Sequence, residues 1–490
     1  MSEGVRVGQN ISIILLSDIS ASIIGFVYFI HVAKYFGALD FGILSFAIAT
    51  TSLLSNFINF GTTQLYIRDI ARDNSVIPNI IGNSFIIKLV FTFIAFALLT
   101  CYLKLFHYEV DTCIVLYIIF VSTIISSITT VFESVFQALE KPIYGSIAKI
   151  LRATLLLLGL YVAMNFEWNI VLFSTLHIVT SFIILSIYTI QFKKYIEIKN
   201  WFGFDLDYIK YILKEAWPFL ITSMFVSIYV WTDSIMLSIL KSEVEVGYYN
   251  AAYQLVLALL FIPIAFNTAV YPVLSRNYIS GSEKSMKSII DKYFTIMMGL
   301  GIPIGVGTTL LGTKIIEIAY GPEYFHSVIV LQILIWSLVF TYMNAPFAKL
   351  FESINMQIMI TKITGISVVI NIIINYLLIP RYSIIGASIA TLITEATVAV
   401  LLMLFSIKLG LYKFNYISFF KIIIGNLCMS GFIYCTNGWN IIISIICSAL
   451  LYIFMLYVLK VISNEDIVLM KSIAKRARLF NILRDCQNLS

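Results

Sequence analysis

The chain has 490 residues, of which 60% are apolar and 12% charged, with a mean hydropathy of +0.95. A soluble domain carries about 25% charged residues, so half of the usual charge is missing and no extended polar stretch remains for such a domain. The net charge of +6 reads as membrane topology and contact with anionic lipid, not as a nucleic-acid surface.

A helix that crosses a bilayer needs roughly 20 apolar residues. In chain order, the apolar runs predict spans at 11–33, 41–64, 79–101, 113–137, 146–164 and 168–190. The first run lacks a small-residue cleavage site, so it reads as a span rather than a signal peptide. A second set follows at 216–240, 246–272, 293–316, 326–348, 356–379 and 384–407, then two more spans at 415–436 and 440–461. The predicted fold class is an all-α polytopic membrane protein of about fourteen spans. Its predicted divisions are an N-lobe (1–190), a basic linker (191–215), a C-lobe (216–407), two further spans (408–461) and a basic tail (462–490).

Charge placement supports this count and gives an orientation. Of 32 Lys and Arg residues, Lys34, Lys104, Lys241, Lys314 and Arg381 fall at one set of span ends, while Lys88 and Lys421 lie within spans. All the others fall at the opposite ends, with the linker and the tail. Positive charge marks the cytoplasmic side, so both termini are expected inside. The six cysteines form no C-x-x-C pair and the four histidines share no metal-ligand spacing. No resident metal is expected, and no catalytic group.

The two sets of six spans read as weak internal repeats. Gly37-Ala38-Leu39-Asp40-Phe41-Gly42 precedes span 2, and Ser242-Glu243-Val244-Glu245-Val246-Gly247 precedes span 8. An even number of spans per repeat makes the repeats parallel, as in many transporters.

Charge and polarity inside the spans mark the candidate site, because a charge at mid-membrane costs about 2.5–3.5 kcal/mol on insertion scales. The acids are Asp18, Glu133, Asp233 and Glu395. Three of them, Asp18, Asp233 and Glu395, are candidates to carry a coupling proton or sodium ion; the other reading is a hydrogen-bonded structural acid. Polar residues recur at helical spacing: Ser122, Ser126, Thr129, Glu133 and Gln137 in span 4, and Ser52, Asn56, Asn59 and Thr63 in span 2. Thr364, Ser367, Asn371 and Asn375 do so in span 11, and Ser388, Thr391 and Glu395 in span 12. Steps of three and four place each set on one helix face, which faces a hydrated cavity or hydrogen-bonds to neighbouring helices. Lys88 either anchors an anionic group or pairs with a buried acid such as Asp18. Arg152 and Arg276 either meet a lipid phosphate near the inner boundary or set topology. Gly299, Gly301, Pro303, Gly305 and Gly307 make span 9 the expected flexible helix.

Several segments carry a resemblance: Lys34 through Gly42, Thr232-Asp233-Ser234-Ile235-Met236-Leu237, Val246-Gly247-Tyr248-Tyr249-Asn250-Ala251-Ala252, and Ala319-Tyr320-Gly321-Pro322-Glu323-Tyr324. The fullest runs from Asn371 to Pro380 and on through Gly386-Ala387-Ser388-Ile389-Ala390-Thr391. In these segments, over essentially its whole length, the chain resembles the Wzx-type polysaccharide (O-antigen) flippases of the multidrug/oligosaccharidyl-lipid/polysaccharide exporter superfamily.

The resemblance implies two six-helix lobes around a central cavity, alternating access, and a polyprenyl-pyrophosphate-linked oligosaccharide as cargo for surface polysaccharide or O-antigen synthesis. It implies a groove for the lipid tail beside spans 13 and 14. Substrate contacts would then fall on Lys88, Arg152, Arg276, Asn56, Asn59, Glu133, Asn371 and Asn375. The partners would be the lipid-linked cargo, membrane lipids and other polysaccharide assembly proteins. The alternatives are a cation-coupled drug or small-solute exporter of the same superfamily, and a membrane polysaccharide polymerase or ligase. The last needs reactive groups on a sizeable outer loop, and every outer loop here is short; the longest, about 102–112, carries only Lys104, His107, Glu109 and Asp111 as charged or imidazole groups.

Overall fold

Hydrocarbon leaves no water to satisfy backbone polar groups, so apolar runs of this length close their hydrogen bonds internally as helices. The computed structural model describes residues 3–195, 205–436 and 438–461. Part of the basic linker (196–204) and the whole tail (462–490) lie outside the described residues. Among the described residues there is no strand, and 12 helices are long and apolar enough to cross a membrane.

In chain order the helices are α1 (Glu3–Asn59), α2 (Thr62–Arg72), α3 (Ile77–Phe106), α4 (Val110–Ala138), α5 (Ile143–Asn165), α6 (Ile170–Tyr195) and α7 (Leu206–Leu240). They continue as α8 (Glu243–Leu257), α9 (Phe261–Ile279), α10 (Glu283–Tyr320), α11 (Ser327–Ser353), α12 (Gln357–Lys408), α13 (Tyr416–Cys435) and α14 (Ile441–Val458). α8 and α9 form one span through a short 3-10 turn. α1 and α12 are each broken at one residue, Gly37 (φ 76°, ψ 178°) and Ser383 (φ 48°, ψ −128°). Each break separates two arms of spanning length, so the twelve helices provide fourteen spans. Loops were expected at 34–40 and 380–383; single-residue reversals stand there instead.

Three further features depart from expectation. Span 9 was the expected flexible helix, yet α10 runs unbroken through Pro303. Two of its glycines serve close packing, a Cβ on Gly305 lying 2.9 Å from Val339 Cγ2 and one on Gly301 3.2 Å from the Tyr342 ring, while Gly299 and Gly307 face open space. The polar-looking stretch after span 2 is the amphipathic helix α2, which buries Leu65, Tyr66 and Ile70. Asp18 lies within the first span of α1 but is not buried: it keeps 44% of its side chain exposed and pairs with Lys149 at 2.8 Å.

α1 is the central element and packs on α4, α5, α7 and α8. α4 packs on α6, α11 on α10 and α12, and α13 on α10 and α14. Large apolar side chains such as Phe93 and Leu427 remain two-thirds exposed, as expected of a surface solvated by lipid. One end of the bundle carries Arg68, Arg72, Lys193, Lys194, Lys210 and Lys214, and is called the basic end. The acidic end carries Asp40, Glu109, Asp111, Glu243, Glu245 and Glu323.

At the acidic end the two matching sequence turns meet face to face. A Cβ on Gly42 would lie 1.8 Å from Glu243 O, and one on Gly247 would lie 1.9 Å from Ala38 O. Here the need is for bare backbone, not for unusual φ. Ala38 N donates to Glu323 Oε1 at 3.0 Å, and Tyr324 OH donates to Ala33 O at 2.8 Å. At the basic end Gly61 (φ 65°) packs on the α7 backbone; a Cβ there would lie 2.3 Å from Leu220 N. Arg68 reaches Glu215 at 3.5 Å, and Tyr211 OH donates to Asp69 at 3.1 Å.

Candidate functional site

Polar side chains inside the spans gather into three groups. The first surrounds Asp233, 4% exposed on α7. Its Oδ2 accepts from Tyr249 OH at 2.5 Å and from Thr391 Oγ1, and its Oδ1 accepts from Asn375 Nδ2 at 2.5 Å. Asn375 also donates to Asn371 Oδ1 at 3.0 Å, and Asn371 to Thr394 Oγ1 at 3.4 Å. α7, α8 and both arms of α12 thus converge on one carboxylate. Asn375 Oδ1 is buried without a hydrogen-bond partner. Glu395 forms a neighbouring centre: it accepts from Tyr229 OH at 2.5 Å, Thr341 Oγ1 at 3.0 Å and Asn344 Nδ2 at 3.4 Å. Among the described residues neither acid has an ion-pair partner, and charge-assisted bonds from neutral donors hold each in place. The arrangement is oxygen-rich and compact, and its chemistry suits a proton or a small monovalent cation.

The second group surrounds Lys88, 4% exposed on α3. Its Nζ donates to Asn59 Oδ1 and, at 3.4 Å, to Thr130 Oγ1; Thr130 also donates to Asn59 at 3.1 Å. Among the described residues no carboxylate lies within ion-pair distance, so the expected alternative of pairing with Asp18 does not occur. One turn along α1, Asn56 Nδ2 donates to Ser227 Oγ of α7 at 2.5 Å. Two adjacent positions of the span 2 stripe therefore reach different helices: Asn59 meets Lys88 of α3 and Asn56 meets Ser227 of α7.

The third group lies between α4, α5 and α6. Arg152 Nη2 donates to Ser126 and Ser181, each at 3.2 Å. Ser122 donates to His177 O at 2.9 Å and pairs with Ser181 at 2.9 Å. His177 Nε2 and Tyr28 OH share a bond of 3.1 Å. The outer part of the span 4 stripe is thus spent on helix–helix hydrogen bonds. Its inner part, with Glu133, borders a cavity of about 130 Å³. Arg276 stands exposed near the end of α9, away from all three groups. The apolar counterpart is a cavity of about 390 Å³ between α10, α11 and α13, lined by Met298, Trp336, Phe340 and Leu427 among others.

Tyr249, Tyr229 and Thr130 were missed by sequence reasoning. Tyr249 stood within a quoted segment, but tyrosine counts as apolar in a hydropathy reading, which hides its hydroxyl. Among the described residues no group of three His, Cys, Asp or Glu side chains could hold a metal ion.

Fourteen spans, buried acids and an acid-free buried lysine define a polytopic helical membrane protein with ionisable groups in its core. The particular family follows from comparison. Residues 7–278, more than half of the chain, match the family described as "Polysaccharide biosynthesis protein", and the chain belongs to it; residues 218–377 also match "MatE". A "Putative O-antigen transporter" of Shigella dysenteriae is 30% identical over 289 residues, 56% of this chain and 68% of that protein. A "Probable low-salt glycan biosynthesis flippase Agl15" of Haloferax volcanii is 25% identical over 206 residues, which is 42% of this chain and 44%, under half, of that relative. Among solved structures, "Lipid II flippase MurJ, inward closed conformation" superposes with a TM-score of 0.75 at 19% identity, covering 90% of this chain and 97% of the other. An inward-facing multidrug resistance MATE transporter gives 0.63 at 14% identity, covering 80% and 94%. These two likenesses establish a fold shared with MurJ and MATE proteins.

Proposed function

We propose that this protein carries a polyprenyl-pyrophosphate-linked oligosaccharide across the cytoplasmic membrane by alternating access of two lobes, 1–190 and 216–407, with both termini cytoplasmic. The observation that carries the reading is Lys88: a buried ammonium whose hydrogen-bond partners are Asn59 and Thr130. A buried charge without a counter-charge is costly, and a passing pyrophosphate would supply one. The apolar cavity against α13 has the chemistry for an isoprenoid tail. The printed names of the Shigella and Haloferax relatives support the same cargo class. The reading is that of a transporter, with no catalytic residue assigned and with surface-polysaccharide assembly proteins as its partners.

The MatE match over 218–377 includes Asp233 and its partner Asn375, and the buried carboxylates of Asp233 and Glu395, each held by neutral donors, favour coupling to a proton or sodium ion. Asp18, half exposed and paired with Lys149, has no part in that proposal. The test is purified protein in vesicles given lipid-linked oligosaccharide, with the appearance of sugar on the opposite face followed over time. Wild-type protein is expected to accelerate it; failure with every lipid-linked sugar tried would overturn the function.

A further inference from the structure

The cavity between α4, α5 and α6 has unmet polar groups that helix packing does not explain. Tyr188 is 3% exposed and lines it, and its hydroxyl has no hydrogen-bond partner. Glu133 lines it too, and among the described residues no donor reaches its carboxylate. Arg152 borders it with only Nη2 engaged by protein among the described residues. Gly145 keeps the space open, since a Cβ there would sit 3.4 Å from Glu133 Oε1 and 3.7 Å from Tyr188 OH. A second cavity of about 100 Å³ shares Glu133, Gly145 and Lys149 and extends to Gln137 and the Lys141–Pro142 turn at the basic end. The two cavities share these walls, and the second borders that end.

The lining selects the ligand by exclusion. A phosphate would meet the Glu133 carboxylate, and a cation would meet Arg152 and Lys149. A neutral polyol suits both, because each sugar hydroxyl donates to one group and accepts from another. Resting on the flippase reading, we propose that this N-lobe cavity is a subsite for one neutral sugar residue of the cargo, with Glu133 accepting, Arg152 donating and Tyr188 completing the ring of contacts.

The test uses the full chain in nanodiscs with free glucose, galactose, mannose and N-acetylglucosamine as probes, read by saturation-transfer NMR. At least one probe should bind. Tyr188→Phe should weaken that binding about five- to tenfold, the worth of one hydrogen bond, and Glu133→Gln should do the same. Tyr188→Phe removes a hydroxyl with no protein partner, so thermal stability should hold and the variant stays interpretable. Vesicle assays on the same proteins separate the two readings. If wild type flips lipid-linked sugar, no probe binds, and both variants flip at the normal rate, the subsite is wrong and the flippase stands. If probes bind and the variants weaken them while wild type moves no lipid-linked sugar, the flippase reading falls and the cavity is a sugar site of another kind.

Discussion

The glycine crossing at the acidic end offers the sharpest test of alternating access. Replacing Gly42 with alanine places a Cβ 1.8 Å from Glu243 O. Real Cβ contacts do not fall below about 3.0 Å, so the α1 and α8 backbones must part by at least about 1.2 Å. Overpacking of this kind costs about 1–3 kcal/mol. If the opposite, opened conformation relieves the clash, the closed one loses that amount relative to it, a shift of about 5- to 150-fold in the equilibrium. Val246, fully buried beside the crossing, reports the change. In a chain with its six cysteines replaced and Val246→Cys added, thiol labelling should be slow on the Gly42 background and about 5- to 150-fold faster with Gly42→Ala. Gly247→Ala, whose Cβ would meet Ala38 O at 1.9 Å, should act alike, and both should slow transport because return to the closed state becomes costly. Equal labelling rates in folded Gly42→Ala and parent proteins would refute the reasoning.

Lys88→Ala should keep its fold and lose most cargo movement, since the proposed counter-charge for pyrophosphate is gone; flipping at the normal rate in vesicles would remove it from the cargo path. Asp233→Asn and Glu395→Gln retain shape but not charge, so the response of transport to imposed proton and sodium gradients should vanish in at least one of them, measured as initial rates across a gradient series. The acidic end should close more firmly at low pH. Burial, then Asp111, holds Asp40 above the usual carboxylate range; burial, then Glu109, does the same for Glu243. Carboxyls held high in the closed form bind more protons there than in the open form at pH values between the ordinary value, about 4, and the raised one. Closure is therefore favoured as pH falls through that window and loses this contribution as pH rises past it, which spin-label distances across the Gly42–Gly247 crossing would register.

Much of the architecture was legible because hydrocarbon imposes a simple rule on length and polarity. The fourteen apolar runs need only be counted to reach the span number, and the twelve long helices give the same number once α1 and α12 are each split, at Gly37 and Ser383. The breaks themselves were less readable. Gly37 fits a positive φ, but Ser383 gives no such signal, and the glycines of α10 pointed to bending, whereas Gly305 and Gly301 pack against Val339 and Tyr342. α2 escaped notice because Arg68, Asp69 and Arg72 look like a loop, and only its buried Leu65, Tyr66 and Ile70 reveal an in-plane helix. Within the site, periodicity identified which residues share a face but not what that face meets. Asn56 and Asn59 belong to one stripe and bond to different helices. Asp18 and Lys149, 131 residues apart, meet only through the packing of α5 on α1.

The bonds that close the acidic end have an uneven inheritance. From the C-terminal half come side chains, the Glu323 carboxylate and the Tyr324 hydroxyl; from α1 come only main-chain groups, Ala38 N and Ala33 O. Every residue type except proline offers that amide, and every residue offers that carbonyl. Apart from Gly37, whose φ of 76° and whose 2.9 Å approach of a would-be Cβ to Glu323 Oε1 hold it to glycine, substitutions along this stretch of α1 can therefore accumulate without erasing either bond, whereas a single change at Glu323 or Tyr324 deletes one. Insertions have the opposite effect: one extra residue between positions 33 and 38 would displace both acceptor and donor from their partners at once. Selection on this closure should thus constrain the spacing of α1, the glycine at position 37 and the chemistry of residues 323 and 324, while these two bonds by themselves place no demand on the side chains at positions 33 and 38.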